Sequence, residues 1–232
     1  MVASATADSP RSSSWRTVRR LVVAYRRHRF AWLFVSLLIT LAAGPTLEVL
    51  APDYNPLQVL LAVNLIAALA SVMRERPMRL PLLLGSGFLV ARVVRAALGL
   101  PGMLAFSETL WVIGIALVMA TAVRHALRAG VVDRERLLAA LDAYLLAGLL
   151  FAVGYALLDR VWPGSFGAAS PLGVGRAIYF SFVTLATLGY GDIVPASEPA
   201  RGLALLEGIS GNLYLTVLVA RLVGLYTRQT AD

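Results

Sequence analysis

The sequence predicts an all-α integral membrane protein with six transmembrane helices. Of its 232 residues, 59% are hydrophobic, and the mean hydropathy of +0.75 exceeds what soluble domains usually show. Six apolar segments come close to the length of about 20 residues that a helix needs to cross a bilayer. No stretch of soluble composition is long enough to build a separate core. The six spans are predicted near residues 30–50, 57–73, 80–98, 103–123, 137–158 and 202–226.

The arginines predict how these helices are oriented in the membrane. All 21 basic residues are arginines, and the formal net charge is +8. They are concentrated ahead of the first span and in the segments 74–79 and 124–136, whereas Arg160, Arg176 and Arg201 lie on the opposite side. Because arginine-rich loops stay in the cytoplasm, both termini are expected there, in a multi-pass protein of the plasma membrane. Arginines placed between apolar segments do not indicate a nucleic-acid partner.

Residues 1–29 are predicted to be a basic cytoplasmic segment, in which residues 1–14 are rich in serine and alanine and the rest intersperses arginines with apolar side chains. Such a segment is expected to lie beside the membrane and to contact anionic lipid headgroups. Two roles are open for it, anchoring of the first span and gating that responds to lipid.

A short apolar segment and a glycine-containing loop separate the last two spans. Residues 175–186 are enough for about three helical turns, which is too short to cross a bilayer. Residues 187–192 follow and read Thr-Leu-Gly-Tyr-Gly-Asp, with Pro195 three residues further on. Glycine adopts a positive φ without steric cost, and Gly189 and Gly191 occupy alternate positions. This spacing allows successive backbone carbonyls to point in one direction.

The stretch YFSFVTLATLGYGD, residues 179–192, resembles the pore helix and selectivity filter of the tetrameric potassium channels. The arrangement is similar to the six-transmembrane bacterial type with a single pore loop. The resemblance is specific over residues 175–226 and only architectural over residues 30–158. It implies a re-entrant pore helix, a filter and a homotetramer, because a chain with one filter strand needs three further identical subunits to close a ring of four. In this family, rings of filter carbonyls are known to replace the water around K⁺.

The resemblance also implies which residues bind K⁺. Filter carbonyls, together with the Thr187 hydroxyl, would line the ion sites. Leu188 replaces the commonest valine of the family, and selectivity is expected to persist because that side chain points away from the ion. No cofactor besides K⁺ is expected, and no enzyme activity, since the chain lacks phosphate-binding and zinc-binding motifs and has no cysteine. The predicted filter residues are Thr187, Leu188, Gly189, Tyr190 and Gly191.

Other residues are predicted to hold the filter or to let the pore open. The resemblance implies that Glu207, in the last span, supports the filter from behind through hydrogen bonds. It also implies that Tyr190 packs against pore-helix aromatic residues such as Tyr179. Gly208 and Gly211 are candidates for a hinge in the last span, and close helix packing is the alternative explanation for both. The predicted supporting residues are Thr184, Asp192, Glu207 and Tyr179.

The front half has the layout of a voltage sensor without its usual charges. The fourth predicted span, 103–123, contains no arginine, and two arginines lie on the third span instead. A static network of buried charges is favoured over charges that move in the membrane field, so weak or absent voltage dependence is expected. The network is predicted to comprise Glu48, Arg92, Arg95 and Glu108. The predicted domains are a cytoplasmic segment at 1–29, the four-helix domain at 30–128 and a pore domain at 129–232.

Together these features predict a potassium-selective channel that conducts passively. Two alternatives are a potassium transporter subunit and a non-conducting membrane scaffold that keeps the pore fold. Transporter subunits usually carry several degenerate filters on one chain, whereas this chain has one intact filter.

Overall fold

The computed structural model of the chain describes residues 29–50, 57, 59–61, 63–64, 87, 102–127, 134–167 and 172–229. Within these residues the fold is all-helical apart from one isolated bridge between Phe166 and Pro195. The all-α class is therefore confirmed for this part of the chain. The helices are α1 (Arg29–Leu50), α2 (Gly102–Leu127), α3 (Arg134–Val161), α4 (Val174–Leu185) and α5 (Glu198–Gln229).

These helices correspond to the first, fourth, fifth and sixth predicted spans and to the predicted pore helix, α4. In the described part of the chain, α3 and Glu198–Arg221 of α5 are long and apolar enough to cross a membrane. Of the predicted spans at 57–73 and 80–98, the structure describes only residues 57, 59–61, 63–64 and 87, so the count of six spans stays a prediction.

The predicted charge network also falls outside what the structure describes. Arg92 and Arg95 are not among the described residues, and the side chains of Glu48 and Glu108 are not described either. The network therefore stays a prediction.

Helix α3 is the centre of the fold, because α1, α2, α4 and α5 all pack against it. The larger core cluster follows α3 from Leu145 to Tyr155, and a smaller one lies around Ala139 and Ala143 near its beginning. Small residues on α3 let the neighbouring helices approach closely, as is common in membrane helices. At Gly148 the approach is so close that an added Cβ would lie 2.7 Å from the ring of Phe182 on α4.

A carboxylate at the end of α3 holds the segment that leads to α4. The side chain of Asp159 accepts hydrogen bonds from the backbone N–H groups of Ser165 (3.1 Å) and Leu172 (2.8 Å). The Ser165 carbonyl in turn accepts the N–H of Ala196 at 2.8 Å, and the Gly167 N–H donates to the Val194 carbonyl at 2.9 Å. The turn after α3 is thereby fastened to the segment that precedes α5.

Candidate functional site

The end of α4 determines the backbone direction of the loop 187–192. The Leu188 N–H donates to the Val183 carbonyl (2.9 Å), and the Thr187 N–H donates to the Thr184 carbonyl (3.0 Å). These two bonds form a Schellman motif, in which the residue after the C-cap adopts the left-handed conformation. That residue is Thr187, with φ of 57°, and no other described residue apart from glycines has a positive φ. A β-branched side chain is rare in this conformation, which glycine usually adopts.

Positive φ values then recur at every second residue of the loop. They are 57° at Thr187, 59° at Gly189 and 79° at Gly191, whereas Leu188 and Tyr190 keep negative values. In an ordinary extended strand successive carbonyls point to opposite sides. Alternating left-handed and right-handed residues turn every second peptide unit over, so the carbonyls can share one side of the strand. The sequence predicted two such positions from its glycines, and the structure adds the third at the threonine.

Aromatic stacking holds the far end of the loop against α4. The Tyr190 ring lies on the Tyr179 ring, with centroids 6.5 Å apart and planes 14° from parallel. The side chain of Asp192 also lies close to that of Tyr179. The structure thus brings together three residues that the sequence analysis had assigned to the filter or its support. Both tyrosines are nevertheless exposed, 38% for Tyr179 and 66% for Tyr190, so another surface can cover them.

Behind α4, three helices meet at the carboxyl group of Glu207. This α5 side chain is fully buried; the hydroxyl of Tyr155 donates to it from α3, and it is hydrogen-bonded to Ser181 on α4. The Ser181 hydroxyl also donates to the Gly148 carbonyl at 2.7 Å. The Ser181 hydroxyl is thus shared between the Gly148 carbonyl and the Glu207 carboxyl group. Glu207 therefore lies behind the helix that carries the loop rather than against the loop itself.

The two hinge candidates differ in their surroundings. Gly211 faces α4, and an added Cβ would lie 2.6 Å from Cδ1 of Leu185. Close packing explains this glycine. At Gly208 no atom of another described element lies within 4 Å of an added Cβ, so packing in this part of the chain gives no reason for its small size. The hinge hypothesis therefore stays open for Gly208.

Tyrosines on α3 and α5 are functional candidates that the sequence analysis missed. The Tyr144 hydroxyl donates to the Leu185 carbonyl at the end of α4 (3.0 Å), and its ring stacks on that of Tyr214. The Tyr214 hydroxyl donates to the Ala140 carbonyl at 2.7 Å. A tyrosine within an apolar span needs a hydrogen-bond partner for its hydroxyl. That requirement was visible in the sequence, whereas the partners were not.

Comparison with known proteins shows that this part of the chain is similar to ion channels. Residues 143–228 match the model of a family described as ion channel. A segment of 92 residues is 35% identical to an inward rectifier potassium channel of Paramagnetospirillum magnetotacticum, and it covers 38% of this chain and 28% of that protein. Another alignment, of 81 residues, is 37% identical to two pore potassium channel c of Oryza sativa subsp. japonica and covers 35% of this chain and 17% of the plant protein.

The chain thus spans less than a third of the length of each of these relatives. The likenesses support a potassium channel family and an ion channel domain in the C-terminal part. They point to a channel rather than an enzyme. With the apolar helices α3 and α5, they indicate a membrane protein.

Proposed function

We propose that the chain is one subunit of a homotetrameric, potassium-selective channel that conducts K⁺ passively through residues 187–191 of four chains. The observation that carries the proposal is the alternation of positive φ at Thr187, Gly189 and Gly191, directly after a helix too short to cross a membrane. A backbone of this kind presents its carbonyls as a row of ligands.

The chemistry of the row suits a dehydrated alkali cation. In the proposed filter each chain offers the carbonyls of Thr187, Leu188, Gly189 and Tyr190 and the hydroxyl of Thr187. Four chains around an axis stack these oxygens in rings of four, and an ion between two rings has about eight ligands in place of its water. One chain alone supplies a quarter of each ring, so the site needs three identical partner subunits.

Exposed apolar surface supports this assembly. Among the described residues of the single chain, Leu188 is 56% exposed and the whole loop 187–192 is exposed. Helix α5 is long and apolar, yet only 11% of its apolar, membrane-spanning stretch is buried within the single chain. Leucine, isoleucine and valine side chains on α5 remain open to other subunits or to lipid: Leu205, Leu206, Ile209, Leu213, Val217 and Val219.

The remaining features of the proposal come from the sequence. The subunit would have six spans with both termini in the cytoplasm of a plasma-membrane protein, and anionic lipid would contact residues 1–29. Domain 30–128 would surround the pore domain 129–232 and give weak or no voltage dependence. The bend that opens the pore would lie at Gly208.

Flux into liposomes tests the proposal. The purified protein is reconstituted with a K⁺ gradient, and we expect K⁺ flux that exceeds Na⁺ flux, is blocked by Ba²⁺ and needs neither a coupled ion nor a nucleotide. Gly189→Asp is expected to abolish it. Gly164→Asp is the matched control, because Gly164 also has a positive φ, 82°, and open space around it but lies outside the loop.

Equal flux of K⁺ and Na⁺, or no flux at all, would contradict the proposal. A requirement for a coupled ion would favour the transporter alternative. Equal loss of flux in both glycine variants would mean that the substitution acts through general misfolding, and the assignment of the loop as the filter would fail.

A further inference from the structure

The end of α4 is held in place by a complete set of hydrogen bonds. A helix leaves its last carbonyls without intrahelical donors. Here Phe182 accepts from Ala186 in the helical pattern, and two further carbonyls accept the N–H groups of Leu188 and Thr187. Leu185 is the last residue of α4, and its carbonyl accepts the hydroxyl of Tyr144 at 3.0 Å. Of these four bonds, only that of Leu185 comes from another helix.

The donor, Tyr144, is itself tied to α5. Its ring lies parallel to the Tyr214 ring, with centroids 6.2 Å apart and planes 22° from parallel. Tyr214 is fixed in turn by the bond from its hydroxyl to the Ala140 carbonyl, one turn before Tyr144 on α3. The two tyrosines therefore form a closed link of α3, α5 and the end of α4.

Helix α5 also contacts Leu185, the last residue of α4, directly. Gly211 lies so close to the Leu185 side chain that a Cβ there would be 2.6 Å from Cδ1. Leu185 thus meets α5 in two ways, through its side chain at Gly211 and through its carbonyl by way of Tyr144 and Tyr214. The residue that starts the left-handed pattern, Thr187, follows two positions later.

We propose that Tyr144 is a positioning residue for the loop 187–191, and that its stacking on Tyr214 makes the ion affinity of the loop depend on the position of α5. Tyr144 touches no ion. It fixes the last carbonyl of α4, and the following peptide units take their direction from that end. A movement of α5 changes the stack and thereby weakens or strengthens the bond to Leu185. This inference rests on the proposed function of the loop.

The test is a K⁺ titration of the purified full-length protein, followed by thermal unfolding in detergent. Tyr144→Phe removes only the hydroxyl and keeps the ring stack. Because a single hydrogen bond changes an equilibrium by about fivefold, we expect the K⁺ concentration for half-maximal stabilisation to rise about fivefold. The K⁺ over Na⁺ flux ratio in liposomes is expected to fall as well.

Thr121→Val is the matched control. It also removes one hydroxyl from a half-buried side chain, but among the described residues Thr121 bonds only to carbonyls of its own helix, Leu117 (2.9 Å) and Val118 (2.7 Å). Its K⁺ midpoint is expected to equal that of the wild type. A general loss of stability, by contrast, would lower the unfolding temperature of both variants without separating their K⁺ midpoints.

Tyr214→Phe tests the second half of the link. It breaks the bond to Ala140 and is expected to shift the K⁺ midpoint in the same direction as Tyr144→Phe. Residues that act through one link are not additive, so the double variant is expected to shift the midpoint by less than the product of the two single effects.

Two outcomes would overturn the inference: a Tyr144→Phe variant with the wild-type K⁺ midpoint, or single effects that multiply in the double variant. These outcomes are distinct from failure of the proposed function. A wild-type protein that neither binds nor conducts K⁺ contradicts the proposed function. A K⁺-selective wild type that Tyr144→Phe leaves unchanged contradicts the link alone.

Discussion

Replacing Glu207 should separate the shape of this side chain from its hydrogen bonds. In Glu207→Leu the hydroxyl of Tyr155 loses its acceptor, and Tyr155 is fully buried. A buried hydroxyl left without a partner costs about 1–3 kcal/mol, and the lost bond to Ser181 adds about 1 kcal/mol. The Ser181 hydroxyl itself keeps the Gly148 carbonyl as acceptor. We therefore expect a loss of about 2–4 kcal/mol in the free energy of unfolding.

Glu207→Gln is expected to behave differently. Its amide N–H₂ can donate to Ser181 while its carbonyl accepts from Tyr155, so both bonds persist. Thermal unfolding in detergent measures the difference. At about 2–4 °C per kcal/mol for a chain of this size, Glu207→Leu should unfold roughly 5–15 °C below the wild type, with Glu207→Gln close to it.

A double variant tests the reason given for this loss. When both partners of a buried hydrogen bond are replaced by apolar groups, the net cost can be nearly zero. Tyr155→Phe added to Glu207→Leu should therefore recover part of the lost unfolding temperature. Wild-type stability of Glu207→Leu alone, or no recovery in the double variant, would refute the reasoning.

Three further predictions follow from other parts of the chain. Gly148→Ala should destabilise the protein by about 1–3 kcal/mol in thermal unfolding, because the added Cβ would press on the Phe182 ring of α4. Gly208→Ala should stabilise it by up to about 1 kcal/mol, because its added Cβ would meet no other described element. Equal effects of the two variants would contradict the packing argument. Asp159→Ala should lose two bonds to backbone N–H groups and make residues 162–167 more sensitive to limited proteolysis, and an unchanged cleavage rate would oppose this role. The wild-type conductance–voltage curve should be shallow, and replacing Arg92 and Arg95 by glutamine should leave it shallow. A steep sigmoidal curve in the wild type that the variant loses would show that the two arginines sense voltage.

Local signals in the sequence were sufficient to predict the end of α4 and the loop in part. Glycines at 189 and 191 required positive φ values, and both have them. Thr187 was not predicted to adopt the same conformation, because a β-branched residue disfavours it. Hydrogen bonds to the carbonyls of Val183 and Thr184 offset that preference.

The start of α5 shows a signal that was present but not used. Hydropathy placed the last span from residue 202, whereas the helix begins at Glu198. Ser197 accepts the N–H of Ala200 at 3.4 Å, and an acidic residue and Pro199 follow it in the first turn. Serine, glutamate and proline in this order are typical of a helix N-terminus, so this boundary was predictable.

The links between helices were not predictable in the same way. Hydropathy gives the length of a span but not its rotation about its own axis, because apolar residues surround α3 and α5 on all sides. The partners of Tyr144, Tyr155 and Tyr214 depend on that rotation. For the same reason the sequence could not distinguish Gly211, which packs on Leu185, from Gly208, where an added Cβ would meet no other described element.

The central claim is that four copies of one backbone segment surround K⁺ on a shared axis. A structure of the purified assembly, determined in K⁺ and again in Rb⁺, tests it most directly. We expect a fourfold assembly in which ion density on the axis lies between rings of the carbonyls of residues 187–190. A monomer or dimer, or carbonyls that face away from any common centre, would contradict the claim.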